Sequence, residues 1–168
     1  HRILAMQAWR GWYHISGSTY GTWLRGDPRG WRARRHREHV EGDYTSPPPP
    51  GTFDKLYVRS QSLLKQPPVR LTTIQRRIAV AAILEKLTAL GIRAIAICLD
   101  AVHYHVLAQF ESAQVRWGIG RAKKHAWHAL RRHGLTGKVW ARRCHVLPIS
   151  CRQHQVHVFN YIARHARK

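Results

Sequence analysis

Residues 99–110 read LDAVHYHVLAQF, an apolar run interrupted by two histidines. In an extended strand side chains alternate between faces, so His103 and His105 point one way and Tyr104 and Val106 the other. Two parallel imidazoles are either an unusual way to fill a core or half of a metal site. A second group lies in the C-terminal HQVHVFNYIARHARK. On a helix, residues three and four apart share a face, which gives a stripe of His154, His157, Tyr161 and His165. A tyrosine on such a stripe is, by itself, an ordinary surface residue. The combination of the two groups specifies a chemistry. His103 and His105 from a strand, joined by His165 from a helix packed beside it, give three neutral donors with coordination positions left open. That is the arrangement of a catalytic rather than a structural metal site. A metal there would draw charge from a phosphate. The Tyr161 hydroxyl, one helical turn from His165, would be placed to attack phosphorus and form a covalent phosphotyrosine.

These residues need elements to position them. Residues 12–24, WYHISGSTYGTWL, alternate bulky and small and read as a first strand. Residues 25–61 are rich in Arg, Gly and Pro without a sustained period, and Pro47 to Pro50 favour a stiff polyproline II segment. This stretch is either an exposed insertion or an arm whose arginines (Arg29, Arg32, Arg34, Arg35, Arg37) grip phosphates. Thr72 or Thr73 caps a helix running to about Leu90, with Ile74, Ile78, Ala81, Ile83, Leu84 and Leu87 buried and Gly91 ending it. Residues 92–99, IRAIAICL, form a nearly all-apolar strand expected at a central position. Asp100 and Ala101 make a tight turn, and the strand carrying the histidines returns antiparallel.

A second helix over residues 112–133 starts at Ser112 and ends at Gly134. It exposes Arg116, Arg121, Lys123, Lys124, Arg131 and Arg132, while Trp117 and Trp127 pack it down. A strand over residues 138–149 precedes a last helix over 152–167, docked through Val156, Phe159, Ala163 and Ala166. Helices and strands without strict alternation predict an α+β fold, helices packed on a mainly antiparallel central sheet. Residues 1–168 then form one domain with an Arg/Pro-rich insertion at about 25–70.

Composition narrows the function. Against 8 Asp+Glu stand 29 Lys+Arg, a formal charge of +21, and such self-repulsion calls for a polyanionic partner. The 7 tryptophans serve core packing or stack on unpaired bases. Cys98, Cys144 and Cys151 form no C-x-x-C pair, hence no disulfide framework or zinc ribbon, and a reducing cytoplasm is the simplest home. No apolar run reaches the ~18 residues of a membrane span, and the opening HRILAMQAWRGW lacks the apolar core of a signal peptide. The expectation is a cytoplasmic, nucleoid-associated protein of prokaryotic type with no membrane partner. A two-metal carboxylate nuclease needs converging acids, and only Asp100 and Glu111 flank the histidine strand. Asp100 reads as a turn residue or as an acceptor orienting an imidazole. A histidine-rich metal-binding protein would have no use for the net charge.

His103-Tyr104-His105 on an apolar strand, a basic helix after it and a C-terminal Tyr161-x-x-x-His165 together resemble the HUH single-strand nuclease superfamily. Among its one-tyrosine insertion-sequence transposases, the REP-associated tyrosine transposases look most similar. The likeness covers residues 12–24 and 72–168, in the family's order of elements. It implies an HUH nuclease core of ferredoxin-like or RRM-like type. It also implies a metal-dependent single-stranded DNA endonuclease and strand transferase, a transposase acting at or near DNA hairpins. In that reading Tyr161 is the nucleophile, keeps the 5′ phosphate covalently and releases a 3′ hydroxyl. His103, His105 and His165 would bind Mg²⁺ or Mn²⁺. Arg121, Lys123, Lys124, Arg142 and Arg143, with Arg32, Arg34 and Arg35 of the insertion, would hold the DNA. The partner would be single-stranded or hairpin DNA, and the chain a monomer or a homodimer.

Two features depart from the pattern. REP-associated members often read Tyr-Ile-x-x-Asn-Pro, whereas YIARHA puts His165 at the asparagine position, and an all-imidazole site favours borderline metals over Mg²⁺. The insertion also exceeds the compact family core. A catalytically inactive, domesticated relative that binds structured DNA or RNA is the alternative, although both histidines and the tyrosine are kept.

Overall fold

The computed structural model describes residues 7–29, 49–111 and 114–167. After a 3₁₀ turn at Trp9–Gly11 come β1 (Trp12–Thr19), α1 (Asp54–Ser62), α2 (Thr73–Ala89), β2 (Arg93–Leu99), β3 (His103–Gln109), α3 (Val115–Arg132), β4 (Trp140–Pro148) and α4 (Arg152–His165). Local chemistry accounts for several boundaries. Thr72 and Gln75 form a capping box at the start of α2: the Gln75 N–H donates to Thr72 Oγ1 at 3.2 Å and the Thr72 N–H to Gln75 Oε1 at 2.9 Å. Gly91 and Gly134 follow α2 and α3 with φ of 71° and 91°, a left-handed conformation that other residues rarely adopt. β1 stops five residues short of the expected 24. There Thr19 turns inward, its Oγ1 donating to the Val69 carbonyl at 2.6 Å, and Gly21 (φ 74°) reverses the chain. The expected cap Ser112, the arm residues Arg32, Arg34, Arg35 and Arg37, and Pro47 and Pro48 lie outside the described residues.

The strands form one antiparallel sheet in the order β2-β3-β1-β4, an α+β fold as expected. β2 is at the edge, not at the centre. Its apolar sequence has another cause: α2 packs on one of its faces and α4 on the other, so both rows of side chains are covered. Helix α1, inside the segment read as irregular, carries no fully buried residue, and its Leu56 and Tyr57 are only half-buried.

Two cores flank the sheet. On one face Ile15, Tyr104, Val106 and Ala108 meet Ala79, Ile83 and Leu87 of α2 and Ile119, Ala126 and Leu130 of α3. On the other, Trp12, Cys98, Leu107 and Ile149 meet Val158 and Ile162 of α4. Some expected core positions are exposed. Ile74 (70% exposed) and Ala81 lie about 180° and about 160° around α2 from Ile83, at ~100° per residue, and so face water. Trp117 is 55% exposed, while Trp127 does pack down and donates its indole N–H to the Gly137 carbonyl at 2.8 Å.

α4 is also turned from the expected docking. Its buried residues are Gln155, Val158 and Ile162, whereas Val156 and Phe159 are 43% and 40% exposed. Tyr161 and His165 stand within about 60° and about 20° of Val158 around the helix. The face that docks is therefore the face that carries the tyrosine, and only His157 of the predicted stripe turns out to solvent.

Tyr104, the middle of the histidine strand, is buried at 2% exposure opposite Gly17. A Cβ at Gly17 would fall 2.3 Å from the Tyr104 hydroxyl, so glycine is what admits the ring. Burial pushes this phenol far above its ordinary range, with Cys144 adding to the effect and Arg116 opposing it. Among the described residues the hydroxyl has no hydrogen-bond partner. Removing it in Tyr104→Phe should raise the unfolding free energy by about 1 kcal/mol. Gly17→Ala should lower it by about 1–3 kcal/mol through overpacking. Urea denaturation reads both, and a large loss in Tyr104→Phe would show that the hydroxyl is engaged after all.

Candidate active site

His105 occupies the middle of β3 with Cys98 beside it on β2 and Ser16 beside it on β1. Both neighbours are small, which leaves room above the sheet for an imidazole. Burial pushes the Cys98 thiol up to about 11, so it packs there as a neutral group and not as a thiolate. Two residues before Ser16, on the same face, His14 Nε2 lies 3.1 Å from His105 Nδ1, a hydrogen bond in which either nitrogen can donate. α4 then lays Tyr161 and His165 over this pair. The Tyr161 ring centroid is 4.2 Å from that of His165, 5.3 Å from that of His105 and 6.1 Å from that of His14. The His105 and His165 centroids are 5.7 Å apart. The Nδ1–H of His165 donates to the Tyr161 carbonyl at 3.0 Å, which leaves Nε2 with its lone pair.

Of the residues singled out by spacing, Tyr161, His105 and His165 are thus brought together. His103 shares their face but stands at the start of β3, its ring 5.8 Å from that of Trp23. Asp100 acts as the expected turn residue: its Oδ1 accepts from the N–H groups of Val102 at 2.7 Å and His103 at 2.6 Å. Its Oδ2 lies 3.6 Å from His103 Nδ1, near enough to attract a charge but too long for a hydrogen bond.

Electrostatics keeps the central imidazoles neutral. Burial lowers His105 from 6.5 to about 4, helped by His14, His165 and His103 and opposed by Asp100. Burial also lowers His14 from 6.5 to about 4, helped by His145 and His154. Neutral imidazole nitrogens are suitable metal donors by chemistry. By geometry the site does not close: among the described residues no three His, Cys, Asp or Glu side chains converge as a metal cage.

The basic residues divide between the two faces. Arg121, Lys123 and Lys124 sit on α3, across the sheet from Tyr161. Lys123 is half-buried with its Nζ donating to the Ala141 carbonyl at 2.8 Å, and burial lowers its pKa. The Arg121 guanidinium lies 5.7 Å from the Trp117 ring centroid. On β4, His145 pairs with Ser16 and so shares the histidine face, while Arg142 and Arg143 are both exposed where the pairing with β1 becomes irregular. Because α4 packs on β2 and β3, a strip over β1 and β4 remains accessible, with Ser16 and Ser18 half-buried and Arg143 and His145 exposed. Among the described residues no helix is long and apolar enough to cross a membrane, and Cys98, Cys144 and Cys151 are all free.

His14 is the member of the site that spacing did not reveal. A lone imidazole in WYHIS has no partner at i±2 within its own strand. Only the register of β1 against β3 makes it a neighbour of His105.

An antiparallel four-stranded sheet with helices on both faces is a framework that this chain shares with a known enzyme. The structure is similar to that of a REP-associated tyrosine transposase bound to a REP hairpin, with a TM-score of 0.52 and 15% sequence identity. The likeness covers 92% of this chain and 66% of that one, so the chain spans just under two thirds of its neighbour's length. At this identity the similarity is one of fold. No family model and no curated protein matches the sequence.

The lowered histidines imply a pH dependence of stability. Between about 4 and 6.5 the unfolded chain binds protons at His14 and His105 that the folded chain refuses. Their contribution is therefore complete above 6.5 and is lost as pH falls toward 4. Urea midpoints measured across this window should decline with acidification, and His14→Gln should flatten the decline. An unchanged slope in that variant would show that His14 is not buried neutral.

Proposed function

We propose that this chain is a metal-dependent single-stranded DNA endonuclease and strand transferase that acts through Tyr161. The observation that carries the reading is the placement of Tyr161 by α4 against His105 and His165. The fold shared with a tyrosine transposase bound to a hairpin supports it. A single strand would run along the open strip over β1 and β4, with Arg143 against its phosphates. The Tyr161 oxygen bonds to phosphorus as the bond from phosphorus to the 3′ oxygen breaks. The phenolic proton passes to water and the departing 3′ oxygen takes one up, leaving a 5′-phosphotyrosine and a free 3′ hydroxyl. Attack by that or another 3′ hydroxyl on the phosphotyrosine reverses the step and joins strands.

His105 and His165 are the imidazoles that would offer donors to a divalent ion, Mg²⁺ or Mn²⁺, whose charge would oppose that of the phosphate, and completing the set with His103 would require that ring to approach them from the start of β3. In the tautomer in which the Nδ1–H of His105 donates to His14, its Nε2 would keep a lone pair for a metal. His14 is then the partner that orients the central ligand. The alternative reading, a relative that binds hairpins without cutting them, draws on the separation of His103 from the other imidazoles.

Labelled single-stranded hairpins incubated with the protein and Mn²⁺ or Mg²⁺, then resolved on denaturing gels with peptide mass spectrometry, test the two readings. A DNA adduct on Tyr161, absent in Tyr161→Phe and with EDTA, is expected. His14→Ala should reduce metal affinity by about 10–100-fold while leaving hairpin binding in place. Tight binding with no adduct under any metal would decide for the binder. In EDTA the affinity should fall steeply with salt, as phosphate contacts require. A flat salt response would remove the electrostatic basis of both readings.

A further inference from the structure

Trp23 has an environment that nothing in the proposed chemistry explains. The indole is 41% exposed, although a side chain of this size gains most by burial. It is nevertheless firmly braced. The Arg29 guanidinium lies over the ring, 4.7 Å from its centroid. Arg29 in turn is held by Asp27: its Nε donates to Oδ1 at 2.9 Å and its Nη2 to Oδ2 at 2.6 Å. The same Nη2 also donates to the Thr22 carbonyl at 2.6 Å. Asp27 is 3% exposed, one of few buried polar side chains among the described residues. Burial raises its carboxyl, but the bonds from Arg29 outweigh this and the net shift is downward, so the pair stays ionised. The Arg29 guanidinium is engaged by Asp27 and the Thr22 carbonyl and not directed at a phosphate site. Its role is to fix the indole. The other neighbour of Trp23 is the His103 ring, at 5.8 Å and 64°.

A rigid, exposed aromatic ring next to the first histidine of the strand is suited to the flat face of a nucleobase. We infer that Trp23, braced by Arg29 and Asp27, is the stacking platform for one unpaired base adjoining the phosphate at Tyr161. The inference takes the single strand at this face from the proposed function and adds the residue that sets its register. A base inside a duplex has both faces covered by its stacked neighbours, so the platform discriminates single strand from duplex interior. Stacking tolerates any base identity, and large purines gain most from it.

The test uses the full chain in EDTA, where no cleavage occurs, and single-stranded DNA carrying one abasic site walked along its length. Fluorescence anisotropy gives the dissociation constants. Trp23→Ala should weaken binding on the order of 10-fold, and Trp23→Phe much less, as expected for a stacked base. One abasic position should weaken binding to the wild type by a similar factor and cost Trp23→Ala nothing further. That coupling identifies the base on the platform. The abasic arm leaves the protein unaltered, so it decides the matter even if Trp23→Ala folds poorly. Equal losses at every abasic position, or full additivity with Trp23→Ala, would overturn the platform while leaving the Tyr161 chemistry untouched. Coupling without any Tyr161 adduct would uphold the platform and overturn catalysis. No binding of single strands at all would overturn both.

Discussion

The pairing of Gly17 with Tyr104 governs the histidine face. Side chains on β3 alternate with a period of two, so burying Tyr104 against α2 and α3 forces His103 and His105 to the opposite side. The tyrosine ring fits only because β1 presents a glycine across from it. A slip of one residue would set a Cβ against the ring and turn both imidazoles into an apolar core, where their polar nitrogens would lack partners. The same register places Ser16 beside His105 and brings His14 within hydrogen-bonding distance. Packing on one face thus sets the chemistry on the other.

α4 meets this prepared surface with a face that is half apolar and half chemical. Val158 and Ile162 fill the floor formed by Trp12, Cys98, Leu107 and Ile149. Because Tyr161 and His165 flank these anchors, docking the helix and assembling the site are one event. The resulting enclosure keeps His14 and His105 neutral, since each lies among other imidazoles and has lost much of its water. Two acidic residues are employed in holding structure: Asp100 ties the turn before β3 and Asp27 holds Arg29.

Among the described residues, the cations of α3 do not converge on Tyr161. Lys123 and Arg116 donate to carbonyls of β4 and bind α3 to the sheet, a structural use of cations. Lys124 and Arg121 are exposed on that outer side, and Arg142 and Arg143 of the WARR run are exposed on β4. The basic helix and the candidate active site are therefore separated by the thickness of the sheet.

How much of this was legible depended on the distance between the partners in sequence. The α+β class, the antiparallel return of β3 after Asp100, the glycine stops at Gly91 and Gly134 and the Thr72 cap all follow from neighbours a few residues apart. So do the shared face of His103 and His105 and the helical spacing of Tyr161 and His165. Edge or centre for β2 was not legible, because an all-apolar strand looks the same whether strands or helices cover it. Val156 and Phe159 misled for a related reason, since hydrophobicity marks what can be buried but not which face the sheet will accept. Helix α1 was hard to read because its apolar side chains are few, Leu56, Tyr57 and Val58, in a short run that follows a Pro-rich segment. By itself the sequence determined which candidate side chains share a strand or helix face and how each is aimed within its own element, since backbone periodicity is a local property. Only the tertiary structure decided which of them meet. His14 joins His105, Trp23 joins Arg29 and His103, and the α3 cations fall on the far side, because strand order, register and helix rotation come from packing between distant segments.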